Sequence, residues 1–256
     1  GRALDLLQAV EQPPAEARKQ EYMLLLGREG AYKLLGDRQA QAADLERLAA
    51  LAEAMGDVRC SGEVAQRYAA YYDAISSFQA AFDAAGRAIE FGEQAGDPPR
   101  KGDGMVAQAR ALWRQGMFDP AEEHLLEALA LSQQHDYQRG MGNSLQSMGN
   151  VRYFKGDLPG ARTCWEEALA THRATGQRRN EAMTVSNLVS ACASMRDLIA
   201  GRGYSEQALT IYQTMGDRRG EGTVLNTLGV AHIDLGEIRQ AVGYFEQWLD
   251  IAREMG

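Results

Sequence analysis

Runs of alternating Val, Ile and Thr are missing from this 256-residue chain, which removes the usual signature of β-strands. No apolar run approaches the ~20 residues a membrane-spanning helix needs, and no signal peptide is visible. Basic residues are in the minority, 27 Lys and Arg against 35 Asp and Glu, for a net charge of -8. That balance argues against nucleic acid or an anionic membrane as partner. Cysteine is scarce. Cys60, Cys164 and Cys192 are odd in number and form no CxxC pair, as expected of reduced, structural thiols in a cytoplasmic protein. The four histidines form no HExxH motif and no cluster with cysteine, so no metal site and no cofactor are expected.

What is present is helix-forming composition, rich in Ala, Leu, Glu, Gln and Arg, laid out on a ruler of glycines. Rows of 40 residues ending at positions 56, 96, 136, 176, 216 and 256 close with Gly56, Gly96, Asp136, Gly176, Gly216 and Gly256. A second set of turn residues stands mid-row, at Gly36-Asp37, Gly116, Gly156-Asp157 and Gly236-Glu237. Small Ala121, Ala161 and Ala241 follow, then large Leu125, Trp165 and Phe245. An internal repeat of this period indicates a solenoid.

Each row reads as two helices. In the last, Val224, Leu225, Leu228, Ala231, Ile233 and Leu235 fall at helical spacing, followed by Ile238, Ala241, Val242, Phe245, Leu249 and Ile251. Prolines Pro13, Pro14, Pro98 and Pro99 lie at row boundaries, and Pro120 and Pro159 near the start of second helices. Asp119-Pro120-Ala121-Glu122 reads as N-cap, N1 proline and capping-box acid. Gly149 and Gly229 mark close approach of first and second helix, with Leu125, Trp165 and Phe245 filling the space between rows.

Leu228-Gly229, His232, Gly236, Ala241 and Phe245 resemble the tetratricopeptide repeat signature, as do Met148-Gly149, Gly156, Ala161, Trp165 and Ala168. The row length is similar to the longer variant found in polarity adaptors and bacterial regulatory and signalling proteins. The resemblance implies an all-α superhelix of six repeats, 17–56, 57–96, 97–136, 137–176, 177–216 and 217–256. Residues 1–16 read as the second helix of a preceding, truncated repeat, and the chain as a fragment of a longer protein. Two rows depart from the pattern. Row five has Val189 where glycine is expected, Arg196-Asp197 at its turn and Ser205 at the large position; row one has Arg28-Glu29 in place of Leu-Gly.

Nothing points to catalysis, and the chain is not expected to be an enzyme. The adjacent pairs Glu122-Glu123 and Glu166-Glu167 point apart on a helix. The stretch "GDGMVAQ", 102–108, lacks the ending of a phosphate loop and reads as a helix N-terminus. Arg178-Arg179 and Arg218-Arg219 read as inter-row turns. His232 sits where a packing aromatic is usual.

The resemblance places binding on the concave face lined by first helices. The motif's inward positions give Asp103, Val106, Arg110, Trp113 and Arg114 in row three, Asn143, Gln146, Asn150, Tyr153 and Phe154 in row four, Met183, Ser186, Ser190, Ala193 and Ser194 in row five, and Thr223, Asn226, Val230, Ile233 and Asp234 in row six. Amides can pair with a peptide backbone, arginines with carboxylates, and aromatics supply anchors. The expected function is a protein- or peptide-binding scaffold in a larger signalling or regulatory protein. A small-molecule sensor domain and a purely structural array are the alternatives. Trp248 stands at a position that is Ala128, Ala168 and Ala208 in other rows, so self-association through the ends of the array is expected.

Overall fold

A computed structural model of the chain describes residues 15–255. They form twelve α-helices and no strand: α1 (Ala15–Leu35), α2 (Arg38–Met55), α3 (Val58–Ala74), α4 (Phe78–Gln94), α5 (Pro98–Arg114), α6 (Phe118–Gln134), α7 (Gln138–Lys155), α8 (Leu158–Ala174), α9 (Arg178–Met195), α10 (Leu198–Met215), α11 (Arg218–Asp234) and α12 (Ile238–Met255). The all-α repeat solenoid expected from the sequence is the fold. The reading of residues 1–16 falls outside the described residues except for Ala15 and Glu16, which open α1. The chain divides into two compact units, Gly1–Gly140 and Met141–Gly256.

Breaks of two or three residues separate the helices, and their chemistry explains the ruler. The residue closing a helix adopts a positive φ, 63° at Gly56 and 67° at Gly216. This left-handed turn lets its N–H return to a helix carbonyl, as Gly56 does to Glu53 at 3.0 Å. The aspartate that follows is the N-cap of the next helix. Asp37, Asp97, Asp157, Asp197 and Asp217 each accept from the backbone N–H three residues on. Ser76, Asp136 and Arg196 take the same left-handed geometry without being glycine, at φ 59°, 50° and 57°.

Three local expectations are corrected. The N-cap position of α6 is Met117, without a side-chain cap hydrogen bond, so Asp119 lies inside the first turn rather than capping it. The 102–108 stretch is helix interior, because Asp97 and Pro98 start α5 earlier. Its Gly104 is needed for contact, since a Cβ there would lie 2.7 Å from Ile89 Cγ1. Arg178-Arg179 and Arg218-Arg219 are not turn residues but open α9 and α11. Arg178 pairs with Glu181 at 2.9 Å and Arg218 with Glu221 at 2.7 Å, the same contact one repeat apart.

Packing within three of the hairpins follows a rule of complementary volume, read sixteen residues apart. Gly149 lies under Trp165, where a Cβ would come within 2.4 Å of the indole nitrogen, and Gly229 lies under Phe245, at 2.6 Å. The large residue therefore packs first on the glycine of its own hairpin, because the bare backbone makes room for a ring. Trp165 also reaches Val185 and Leu188 of the next hairpin in one buried cluster. Ala109 with Leu125 follows the same rule, whereas Ala69 with Ala85, Val189 with Ser205 and Glu29 with Leu45 depart from it. Ala121, Ala161 and Ala241 are buried as expected.

Candidate functional site

In the first unit, the residues expected to line a binding face sit on α5. Arg110 is exposed and Trp113 half-buried. Arg114 lies with its guanidinium carbon 5.0 Å from the Phe78 ring centroid and 5.7 Å from that of Trp113. Its Nε is 3.9 Å from Asp73 Oδ1 on α3. Arg114 is thus partly committed to its own fold, while Arg110, on the same face, has no ion-pair partner among the described residues. Two turns back from Arg110, Asp103 accepts from the Tyr137 hydroxyl at 3.0 Å. Burial pushes the Asp103 carboxyl above its ordinary range, opposed by hydrogen bonds from Tyr137 and Gln66.

In the second unit, α7 carries Asn143, Gln146, Asn150 and Tyr153, and α9 answers all four. Asn180 donates to Asn143 Oδ1 at 3.0 Å, and Asn187 donates to Asn150 Oδ1 at 3.0 Å. Thr184 Oγ1 is 3.2 Å from Gln146 Oε1, and the Tyr153 hydroxyl is 2.9 Å from Ser194 Oγ. The sequence separations are 37, 37, 38 and 41 residues, the signature of equivalent faces on successive repeats. From behind, the Trp165 indole donates to Gln146 O at 3.0 Å and lies 3.2 Å from Asn150 Oδ1. The amides expected to meet a peptide backbone therefore have their carbonyl oxygens occupied internally. Repeated Asn at a spacing of 37 was the sequence signal for this ladder.

His172 completes the network from α8. Its ring is fully buried, with Nε2 3.0 Å from Gln146 Oε1 and Nδ1 buried without a hydrogen-bond partner. Burial holds its pKa below 6.5, with Glu181 opposing weakly. The unfolded chain therefore binds a proton that the folded one refuses, and stability is lost as pH falls through 6.5 toward the folded value. The melting temperature is expected to drop on acidification from about pH 7 to about pH 5. His172→Gln should flatten that dependence in a thermal-shift series; an unchanged slope would contradict it. His232 is a packed histidine as expected. It is buried, its Nδ1 is 2.6 Å from Glu237 Oε2, and its ring lies 5.1 Å from Tyr244.

Asn226, on α11, differs from the α7 amides. It is exposed and makes no side-chain hydrogen bond among the described residues. Beside it a cleft of about 230 Å³ opens between α9, α10 and α11, lined by Val189, Ala193, Ser205, Val230 and Asp234 among others. In the first unit a larger cleft of about 510 Å³ lies between α2, α3 and α4, with Tyr68, Phe91 and Arg87 in its wall. Among the described residues no group of His, Cys, Asp and Glu is placed to hold a metal ion, and no helix is long and apolar enough to cross a membrane.

Residues 180–254 match the family model of the tetratricopeptide repeat. No curated protein matches the sequence. Among solved structures, BtubC from P. vanneervenii is similar at a TM-score of 0.70 and 19% identity, over 86% of this chain and 90% of that one. A signal-transduction ATPase with a tetratricopeptide repeat sensor, from Pyrococcus horikoshii, is similar at 0.72 and 17% identity, over 98% of this chain and 37% of that one. Aspartyl phosphate phosphatase F from Bacillus subtilis is similar at 0.65 and 12% identity, over 98% and 79%. At these identities the likeness is one of fold.

Proposed function

We propose that this chain, an all-α solenoid of tetratricopeptide-type repeats, is a scaffold that binds an extended segment of a protein partner along the first-helix faces of its units. The observation that carries this reading is the contrast on those faces. The α7 amides are spent on α9, whereas Arg110 on α5 and Asn226 on α11 stand exposed with no side-chain partner among the described residues. Asn226 has exposed Val230 and Ile233 for neighbours. Amides and a guanidinium beside apolar side chains suit a peptide, which offers a polar backbone and apolar side chains together.

The test is selection of random peptides displayed on phage against the purified chain, followed by hydrogen–deuterium exchange with a selected peptide. Protection on α5, α9 or α11 is the expected result. Protection confined to the second helices, or no selected peptide, would overturn the reading. Glu167→Ala, on the exposed side of α8, is the matched control.

Membership of a larger signalling protein follows the same reading, supported by the sensor-bearing ATPase, of which this chain matches 37%. The second reading, a small-molecule sensor, is favoured by the 510 Å³ cleft of the first unit, whose size lies in the range of small-ligand sites. Loss of ligand-induced thermal stabilisation in Tyr68→Ala would single it out.

Self-association belongs to the proposal too. On α12, Ile238, Val242 and Leu249 are 57%, 50% and 43% exposed, and Trp248 is 38% exposed, although its indole edge reaches the position of Gly222. Sedimentation velocity should show mass rising with concentration, and Leu249→Glu should return the chain to monomer. A monomer at every concentration would refute it.

A further inference from the structure

The cleft between α9, α10 and α11 lies in a hairpin that departs from the complementary-volume pairing. In three hairpins a small residue on the first helix is matched by a large one sixteen residues on, Ala109 by Leu125, Gly149 by Trp165 and Gly229 by Phe245. In the fifth repeat Val189 faces Ser205, and both line the cleft. Valine on the first helix replaces only part of the ring that serine leaves out. The Ser205 hydroxyl is turned to the carbonyl of Gly201 at 2.9 Å, so it adds no free polar group to the wall.

The rest of the lining defines what fits. Val189, Ala193, Leu198, Val230 and Ala231 make the wall mainly apolar. An apolar cavity of about 150 Å³ holds a benzene ring, whereas drug-sized ligands occupy about 300 Å³ or more. At about 230 Å³, this cleft suits one large side chain. Its charged lining residues are Asp197 and Asp234, with no basic residue. Asp197 is already spent, capping α10 through Ala200 N and pairing with Arg162 at 2.9 Å. Asp234 is exposed and has no partner among the described residues. Asn226 completes the wall with an amide able to give and take a backbone hydrogen bond.

We infer that this cleft is a subsite for an extended peptide bearing a large apolar side chain next to a lysine or arginine, the apolar group filling the space left by Ser205, the basic group pairing with Asp234 and the peptide backbone with Asn226. This rests on the peptide-binding reading above and names the chemistry of its ligand.

The experiment takes a phage-selected peptide and measures its affinity by fluorescence polarisation. The selected sequences are expected to share an apolar residue beside a basic one. Replacing either by alanine in the peptide should weaken binding about tenfold. Asp234→Lys should lose a similar factor and regain it when the peptide's basic residue is changed to glutamate. Ser205→Leu should fill the cleft and abolish binding. Because that position is buried, Asn226→Ala, an exposed change that leaves the fold intact, provides the second variant and should weaken binding about tenfold.

Peptides that bind equally well to Asp234→Lys and Asn226→Ala would overturn the subsite while leaving the first-helix reading in place. Failure to select any peptide would remove both.

Discussion

Trp165→Ala is expected to be among the most destabilising single changes in the second unit, at about 3–5 kcal/mol. The side chain is 2% exposed and belongs to the buried cluster with Ala161, Val185 and Leu188. It lies directly on Gly149, whose lack of a Cβ leaves no side chain that could move into the gap. Truncation also takes away the indole N–H, and with it the hydrogen bond to Gln146 O at 3.0 Å and the contact with Asn150 Oδ1. Tyr153, whose ring centroid is 5.7 Å from that of Trp165, loses its support as well. Urea unfolding followed by far-UV circular dichroism measures the change. Trp165→Phe keeps most of the ring and should cost less. If the two variants lose the same stability, the indole hydrogen bonds rather than volume hold this position. A loss below about 1 kcal/mol for alanine would mean that the site collapses freely.

The sequence makes the fold legible because the repeat prints its turns in two unusual residue types. Glycine gives the left-handed closing residue and aspartate the N-cap, and together they mark the breaks at 36–37, 56–57, 96–97, 156–157 and 216–217. Ser76, Asp136 and Arg196 show that the geometry survives where the glycine does not, each N–H still returning to the carbonyl three residues back. The binding face is less legible, and the reason is physical. A polar side chain on a first helix looks the same in sequence whether it meets solvent or the next repeat. Gln146 and Asn226 occupy equivalent inward positions, yet the first accepts from Thr184 and the second makes no side-chain hydrogen bond among the described residues. On the α7 face it is the residues 37 to 41 positions onward, on α9, that decide which. The departures in rows one and five carried more information than the matches. Val189 with Ser205 leaves a cleft, and Arg28-Glu29 leads to a set of ion pairs that the repeat pattern gives no reason to expect.

Restoring the repeat pattern at Glu29 should therefore damage the protein. Pattern alone favours Glu29→Gly or Glu29→Ala, since the equivalent positions are Ala69, Ala109, Gly149 and Gly229. In the structure Glu29 is 1% exposed, with Gln41 Nε2 donating to its Oε1 at 2.7 Å and Arg67 to its Oε2. Its neighbour Arg28 forms a two-pronged pair with Asp44, Nε to Oδ2 at 2.9 Å. Asp44 is itself only 3% exposed. Removing one member of a buried ion pair costs about 3–5 kcal/mol, because the partner's charge stays desolvated. The Arg67 side chain is 30% exposed and also reaches Glu63 at 3.1 Å, so the guanidinium keeps one carboxylate and some water. That places the expected loss for Glu29→Ala near the lower end, about 3 kcal/mol. Gln41, 1% exposed, then has a buried amide donor without its acceptor, which adds to the cost. A double-mutant cycle with Arg67→Ala separates the contributions. The pair should lose clearly less than the sum of the single changes, since removing both partners strands no charge. Additive losses, or a Glu29→Ala variant as stable as the parent, would show that these contacts are incidental and that the small residue of the repeat serves as well here as it does elsewhere in the array.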